Sequence, residues 1–261
     1  MGRALNTVDT DAPDEYVERL LQAQLVNFWR SFPPRRSAHY EAMVAEERYE
    51  IFCKEFLTEL PPIFALQPSQ EWNERLKKLP LQRQVLHVAI FDAVCHNFRP
   101  VLLLEPTNVQ SLPAYEQMLV ASHKRRLAVA ALKVLKCASS LHALLGNSFT
   151  RFSTIILPTF EAAVILISAI ADGQSSGTNS GNDELLRRLD IDPLRHEMAH
   201  FMLARCCQAV QEALARLQML AQVSEIAKTG ARTLARLMAK IPSGLLEACD
   251  SNSSSHPYSA G

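Results

Sequence analysis

The apolar run from Ala93 to Leu104, Ala-Val-Cys-His-Asn-Phe-Arg-Pro-Val-Leu-Leu-Leu, is interrupted by a guanidinium and a proline at Arg99-Pro100. Proline has no N–H for the carbonyl of His96, four residues back, and its ring crowds the preceding turn. A helix entering this run must therefore kink or stop here. Arg99 is a candidate donor to the carbonyls set free. A long apolar helix that ends at a fixed point restricts how the chain can turn back and pack, so Arg99 and Pro100 are the structural residues to watch.

Elsewhere apolar residues recur at helical spacing, and no segment alternates with period two between Gly or Asn turns. The expected class is all-α, an irregular multi-helix bundle of long amphipathic helices. A first helix is expected over residues 14–31, with Tyr16, Leu20, Leu21, Leu25 and Phe28 on one face and Pro33-Pro34 closing it. Ser37 is read as the cap of a second, carrying Tyr40, Met43, Tyr49, Phe52 and Phe56, that Pro61-Pro62 ends. A short helix starting at Ser69 or Gln70 carries Trp72 and Leu76, and Pro80 ends it. Long helices follow over 81–103, 113–145 and 152–171; the middle one stops at Gly146-Asn147 and has a candidate break near Ser122.

Residues 172–183 are rich in Gly, Ser and Asn and read as a linker. This divides the chain into a helical core (1–171), the linker, C-terminal helices that dock on the core (184–249) and a polar disordered tail (250–261). Within the third part, helices are expected over 184–189, 193–221 and 223–240.

Several of these pieces occur in an order that resembles the fungal transcription factor regulatory domain, the middle homology region of zinc-cluster regulators. The helix ending at Arg99-Pro100 is similar to that family's His-Arg-Pro-Phe region, with Phe98 where His is common. Residues 49–61, ending in Leu60-Pro61, resemble its aromatic helix, and Leu81 to His87 opens the helix leading to Arg99. Ser122 to Leu132 is similar to its Ser-Cys-Ala-Ala helix, with Arg126 at the cysteine position. Phe160 to Leu166 resembles its Phe-x-Ala-Ala helix, and Ala221 to Leu234 its closing helix. The family's zinc cluster is missing, since Cys53, Cys95, Cys137, Cys206, Cys207 and Cys249 are scattered. Its earlier Trp-rich helices are missing too. Gly2-Arg3-Ala4 with Asp9, Asp11 and Asp14 resembles a loop midway through the region, which implies a chain that begins inside the domain.

The resemblance implies a non-enzymatic nuclear module that regulates transcription through intramolecular contacts, protein partners of the transcription machinery, an attached DNA-binding module or a small-molecule effector. It implies no cofactor in this chain, zinc belonging to the absent cluster, and no direct sequence-specific DNA binding. An orphan helical scaffold derived from such a regulator is a further alternative.

Composition agrees with this and excludes other classes. Lysine plus arginine balance aspartate plus glutamate at 27 each, so no global field draws nucleic acid or anionic membrane. The most apolar segment, 155–171, contains Pro158 and Glu161 and is read as a core helix rather than a membrane span. With no secretory leader in view, six unpatterned cysteines read as reduced thiols.

One pattern competes. His196-Glu197-Met198-Ala199-His200 matches H-E-x-x-H, which on a helix would place two imidazoles one turn apart and Glu197 beside a metal-bound water. Glu212 and Glu225 are the candidate third ligands, neither in a supporting motif, and Leu203 and Cys206 break the extended form. The preferred reading is the polar face of an amphipathic helix. His123-Lys124-Arg125-Arg126 is likewise read as a solvated face in preference to an import signal or phosphate contact. His87, His96 and His142 are read as core or boundary residues and Cys206-Cys207 as buried packing.

Overall fold

The computed structural model describes residues 17–33, 40–69, 71–146, 153–172, 192–199 and 201–241. Among them run ten α-helices and no strand: α1 Val17–Ser31, α2 Ala42–Ile51, α3 Glu71–Arg75, α4 Leu79–Phe98, α5 Pro106–Gln110, α6 Ala114–Leu145, α7 Ile156–Asp172, α8 Arg195–Ala199, α9 Leu203–Leu220 and α10 Glu225–Met238. The expected class, all-α, is the observed one. The readings that fall on residues 1–16, Pro34, Ser37, Gln70, Asn147, 173–191, His200, Cys249 and 242–261 lie outside the described residues.

Proline sets several helix boundaries. α4 stops at Phe98, and Arg99–Leu103 continues as a tighter 3-10 turn, because Pro100 cannot supply the next α-type hydrogen bond. Arg99 does not return to the helix carbonyls. Its Nη1 donates to Glu161 Oε2 at 3.1 Å, tying the turn to α7. Both partners are substantially exposed, 42% and 33%, so the pair contributes at most about 1 kcal/mol. Pro80 sits in the first turn of α4, where a missing N–H costs nothing, so it starts that helix and does not end the short one before it. Pro113 similarly precedes α6, which runs unbroken past Ser122 to Gly146.

α6 is the centre of the bundle. It packs against α2, α4, α7 and α9, and the stretch Leu127, Ala128, Val129, Ala130 and Ala131 is buried on every side. Three alanines in it allow close helix approach. Among the described residues α6, rather than 155–171, is the helix long and apolar enough to cross a membrane by length and composition, and 56% of its most apolar stretch is buried inside the bundle. α7 takes its expected place in the core, with Ala162, Ala163, Ile165 and Leu166 buried.

Two expected faces are shifted. On α1 the buried stripe is Val17, Leu21 and Leu25, with Leu20 more than half exposed; the i, i+4, i+8 row decides the stripe, and Leu20 lies 100° away from Leu21. The second helix changes at Phe52 into a π-helical turn, Phe52–Leu57, that buries Phe52, Cys53 and Phe56 together. Phe52 and Phe56 stack at 5.4 Å, and Phe28 of α1 lies 5.7 Å from each. Met43 is left outside.

The C-terminal helices pack on the same core, α9 and α10 against α7 and α8 against α6. The helix expected over 193–221 is interrupted: α8 ends at Ala199, Phe201 and Met202 are extended, and α9 starts at Leu203. Ser224 caps α10 by accepting from the Ala227 N–H at 3.4 Å.

Candidate functional site

The basic run His123-Lys124-Arg125-Arg126 divides in two. Lys124 and Arg125 face outward, but His123 (0% exposed) and Arg126 (3%) point into the bundle. The expected solvated face is therefore only half of it. Helical geometry explains the split, since positions i and i+3 share a face, and His123 and Arg126 share theirs with the buried Leu119, Leu127 and Ala130.

Opposite them stands Glu46 of α2. Its Oε2 accepts from His123 Nε2 at 2.7 Å and from the Arg126 guanidinium. His123 Nδ1 lies 2.9 Å from the Tyr40 hydroxyl. With Nε2 donating to a carboxylate, the neutral imidazole has Nδ1 free to accept the Tyr40 O–H, so one tautomer satisfies both bonds. Arg126 also faces Asp192 Oδ2 at 3.4 Å from its Nε. That contact is an ion pair without hydrogen-bond alignment, which leaves Nε short of a true acceptor. Tyr49 completes the group: its hydroxyl donates to Asp192 Oδ1 at 2.7 Å, and the Arg126 guanidinium lies over its ring at 5.1 Å. Nearby, Asn97 Nδ2 donates to the Ala45 carbonyl at 2.9 Å and fixes α4 to α2.

Electrostatics follow from this packing. Burial alone would raise the Glu46 pKa, but the His123 hydrogen bond and the Arg126 charge outweigh it and hold the carboxyl below its ordinary value. Burial lowers the His123 pKa despite Glu46, so the ring is neutral at pH 7. For Arg126 the burial penalty is more than offset by Glu46 and Asp192. Burial and the Asp192 charge keep the Tyr49 hydroxyl protonated, and burial drives the Cys53 thiol up to about 12. This is a network of fixed charges with no activated nucleophile.

Asp192 gives the network its reach. Its Oδ1 also accepts the Leu194 N–H at 2.9 Å, so Arg126 and Tyr49 pin the start of the C-terminal section. One turn further on, Glu197 pairs with Lys133 of α6, while Leu194 and Met198 are buried. Glu197 of the H-E-x-x-H pattern thus lies on the docking face and His196 is exposed, while His200 lies outside the described residues. No group of three or more His, Cys, Asp or Glu side chains with metal-site geometry occurs among the described residues.

The cysteines need one correction. Cys53, Cys95, Cys137 and Cys206 are free and buried, but Cys207 is disulfide-bonded, against the expectation of six reduced thiols. Spacing does not reveal which thiols tertiary packing brings together. Burial pushes Cys137 and Cys206 to about 12, so these thiols are poor nucleophiles. His87 is buried with Nε2 3.3 Å from the Phe64 carbonyl, and His96 is exposed.

Acid should weaken this arrangement. Burial depresses the His87 and His123 pKa values, so below about 6.5 the unfolded chain binds protons that the folded one refuses. Glu46, also depressed, adds a second loss as pH falls below about 4.3. Unfolding midpoints in urea should therefore fall steadily from pH 7 to pH 4, and a midpoint that stays level over that range would contradict the neutral buried histidines.

The same residues lie within a region shared with known proteins. The chain is 41% identical over 241 residues to transcription factor xilB of Penicillium rubens, a match covering 92% of the chain and 35% of that protein. It is 38% identical over 231 residues to probable transcription factor sol4 of Alternaria solani, covering 87% of the chain and 42% of that protein. The chain spans well under half the length of these two relatives. No protein-family profile matches it, and no solved structure matches it significantly.

Proposed function

We propose that this chain, homologous over about nine tenths of its length to two fungal transcription factors, is a non-enzymatic transcription-regulatory module acting in the nucleus. The relatives' names and the long homologous span carry this reading. Its mechanism is contact: the helical bundle restrains or relays the activity of a DNA-binding module outside this helical region, in response to a partner protein or effector. The Glu46, Arg126 and Asp192 network supports such a role because it couples three separate parts of the chain. A ligand that favours one packing of α8 to α10 over another would shift the population of the active arrangement by its difference in affinity.

Tethering the full chain to a heterologous DNA-binding module upstream of a reporter tests this. Output should differ from that of the DNA-binding module alone, and the Arg126→Met chain should lose the difference. Equal output with and without the folded chain would remove the regulatory reading.

A further inference from the structure

A second buried arginine lies away from the central network. Arg83, in the second turn of α4, is 2% exposed. Its Nε donates to the Ile63 carbonyl and its Nη1 to Asn73 Oδ1 at 2.5 Å. The remaining nitrogen, Nη2, is buried with no acceptor, and burial is the one influence on its ionisation, with no carboxylate opposing it. Arg126 shows what this fold does with a buried guanidinium when the charge is internal: it supplies two carboxylates. Arg83 has none among the described residues. A guanidinium stays charged at any physiological pH, so an anion beside it would offset the cost of its burial.

Arg83 also walls a cleft of about 220 Å³. Leu66, Pro68 and Pro80 line it with apolar surface, and Asn73, Gln84 and His87 line it with polar groups beside Arg83. A cavity of about 150 Å³ holds a benzene ring, so this space suits a small organic molecule and excludes a cofactor-sized one. Three apolar side chains beside one cation that has no carboxylate match an apolar body bearing a single negative group. A carboxylate is the planar, bidentate partner of a guanidinium.

We propose that this cleft is a binding site for a small monocarboxylate, its carboxylate paired with Arg83 and its apolar body against Leu66, Pro68 and Pro80. Nη2 is buried and without an acceptor, so pairing requires the guanidinium to turn toward the cleft at the expense of its bonds to Ile63 and Asn73. The inference deepens the effector part of the regulatory reading and rests on that reading only for its consequence, since binding is measured on the isolated full chain.

Titrating the purified chain with benzoate and hexanoate, followed by amide NMR shifts and calorimetry, tests it. Saturable binding is expected for at least one of them, with shifts at Asn73, Gln84 and His87, and at least tenfold weaker binding of benzamide or hexanamide. Leu66→Trp, which fills the cleft and keeps Arg83, should abolish binding while the fold persists; Arg83→Lys, which keeps the charge but not the fork, should weaken it. Amide binding equal to the acid, phosphate or chloride displacing benzoate with equal affinity, unchanged binding in Leu66→Trp, or no saturable binding of any probe would each overturn the site. A chain that binds benzoate but leaves the tethered reporter unmoved refutes the regulatory reading alone. A responsive reporter without binding refutes the cleft alone.

Discussion

Arg126→Met should destabilise the chain by about 3–5 kcal/mol, the usual cost of removing one member of a buried ion-paired group. The substitution keeps most of the side-chain volume but leaves the Glu46 and Asp192 carboxylates facing each other's region without a cation. Urea unfolding of parent and variant measures the loss, and a difference below about 1 kcal/mol would show that the network is not under strain when its cation is gone. The double variant Glu46→Gln, Arg126→Met should lose less than the two single losses summed, because the groups are in direct contact. Hydrogen exchange gives a more local readout. Residues 194–198 should lose protection first, since Asp192 is their anchor and Arg126 one of its two side-chain holds.

Phe98→Ala should cost a similar amount, about 3–5 kcal/mol, for a different reason. Phe98 is fully buried, with the Tyr49 ring 5.2 Å and the His123 ring 4.7 Å from its own. Its removal opens a cavity at the end of α4, where α2 and α6 converge, and takes away the ring packed against the His123 imidazole. Thermal unfolding should show a large drop in midpoint, and the acid sensitivity of the parent should become shallower as His123 gains access to water. A Phe98→Ala chain with an unchanged midpoint would mean that the core closes over the gap at no cost, which the close packing of three rings argues against.

Much of the architecture was legible from local chemistry. The stop at Arg99-Pro100 follows from one missing N–H, and α6, α7 and α10 follow from apolar period, with Gly146 closing α6. Where sequence reasoning erred, the competing signal was also local. Pro80 starts a helix here, a role that proline takes in a first turn but that looks the same in sequence as a stop. Ser122 offered a weak break signal that the surrounding alanines override.

The site was far less legible. His123 and Arg126 lie in a run of four basic residues, and charge runs ordinarily face water. A clue was present in the apolar residues sharing their face, but it could not identify the acceptors. Glu46 lies 80 residues before Arg126, and Asp192 lies on the far side of α7. Arg83 gave no signal at all, because a single arginine in an amphipathic helix is ordinary until its neighbours are known.

Amino-acid order alone settled the all-helical class and several helix ends, because hydrogen-bond donors, proline geometry and side-chain period act within a few residues. Only the three-dimensional packing decided which charges are withdrawn from water, which of them meet an opposite charge, and that the Arg83 guanidinium, beside a cleft, meets no carboxylate among the described residues. Desolvation and ion pairing depend on groups brought together from distant parts of the chain, and no local pattern records them.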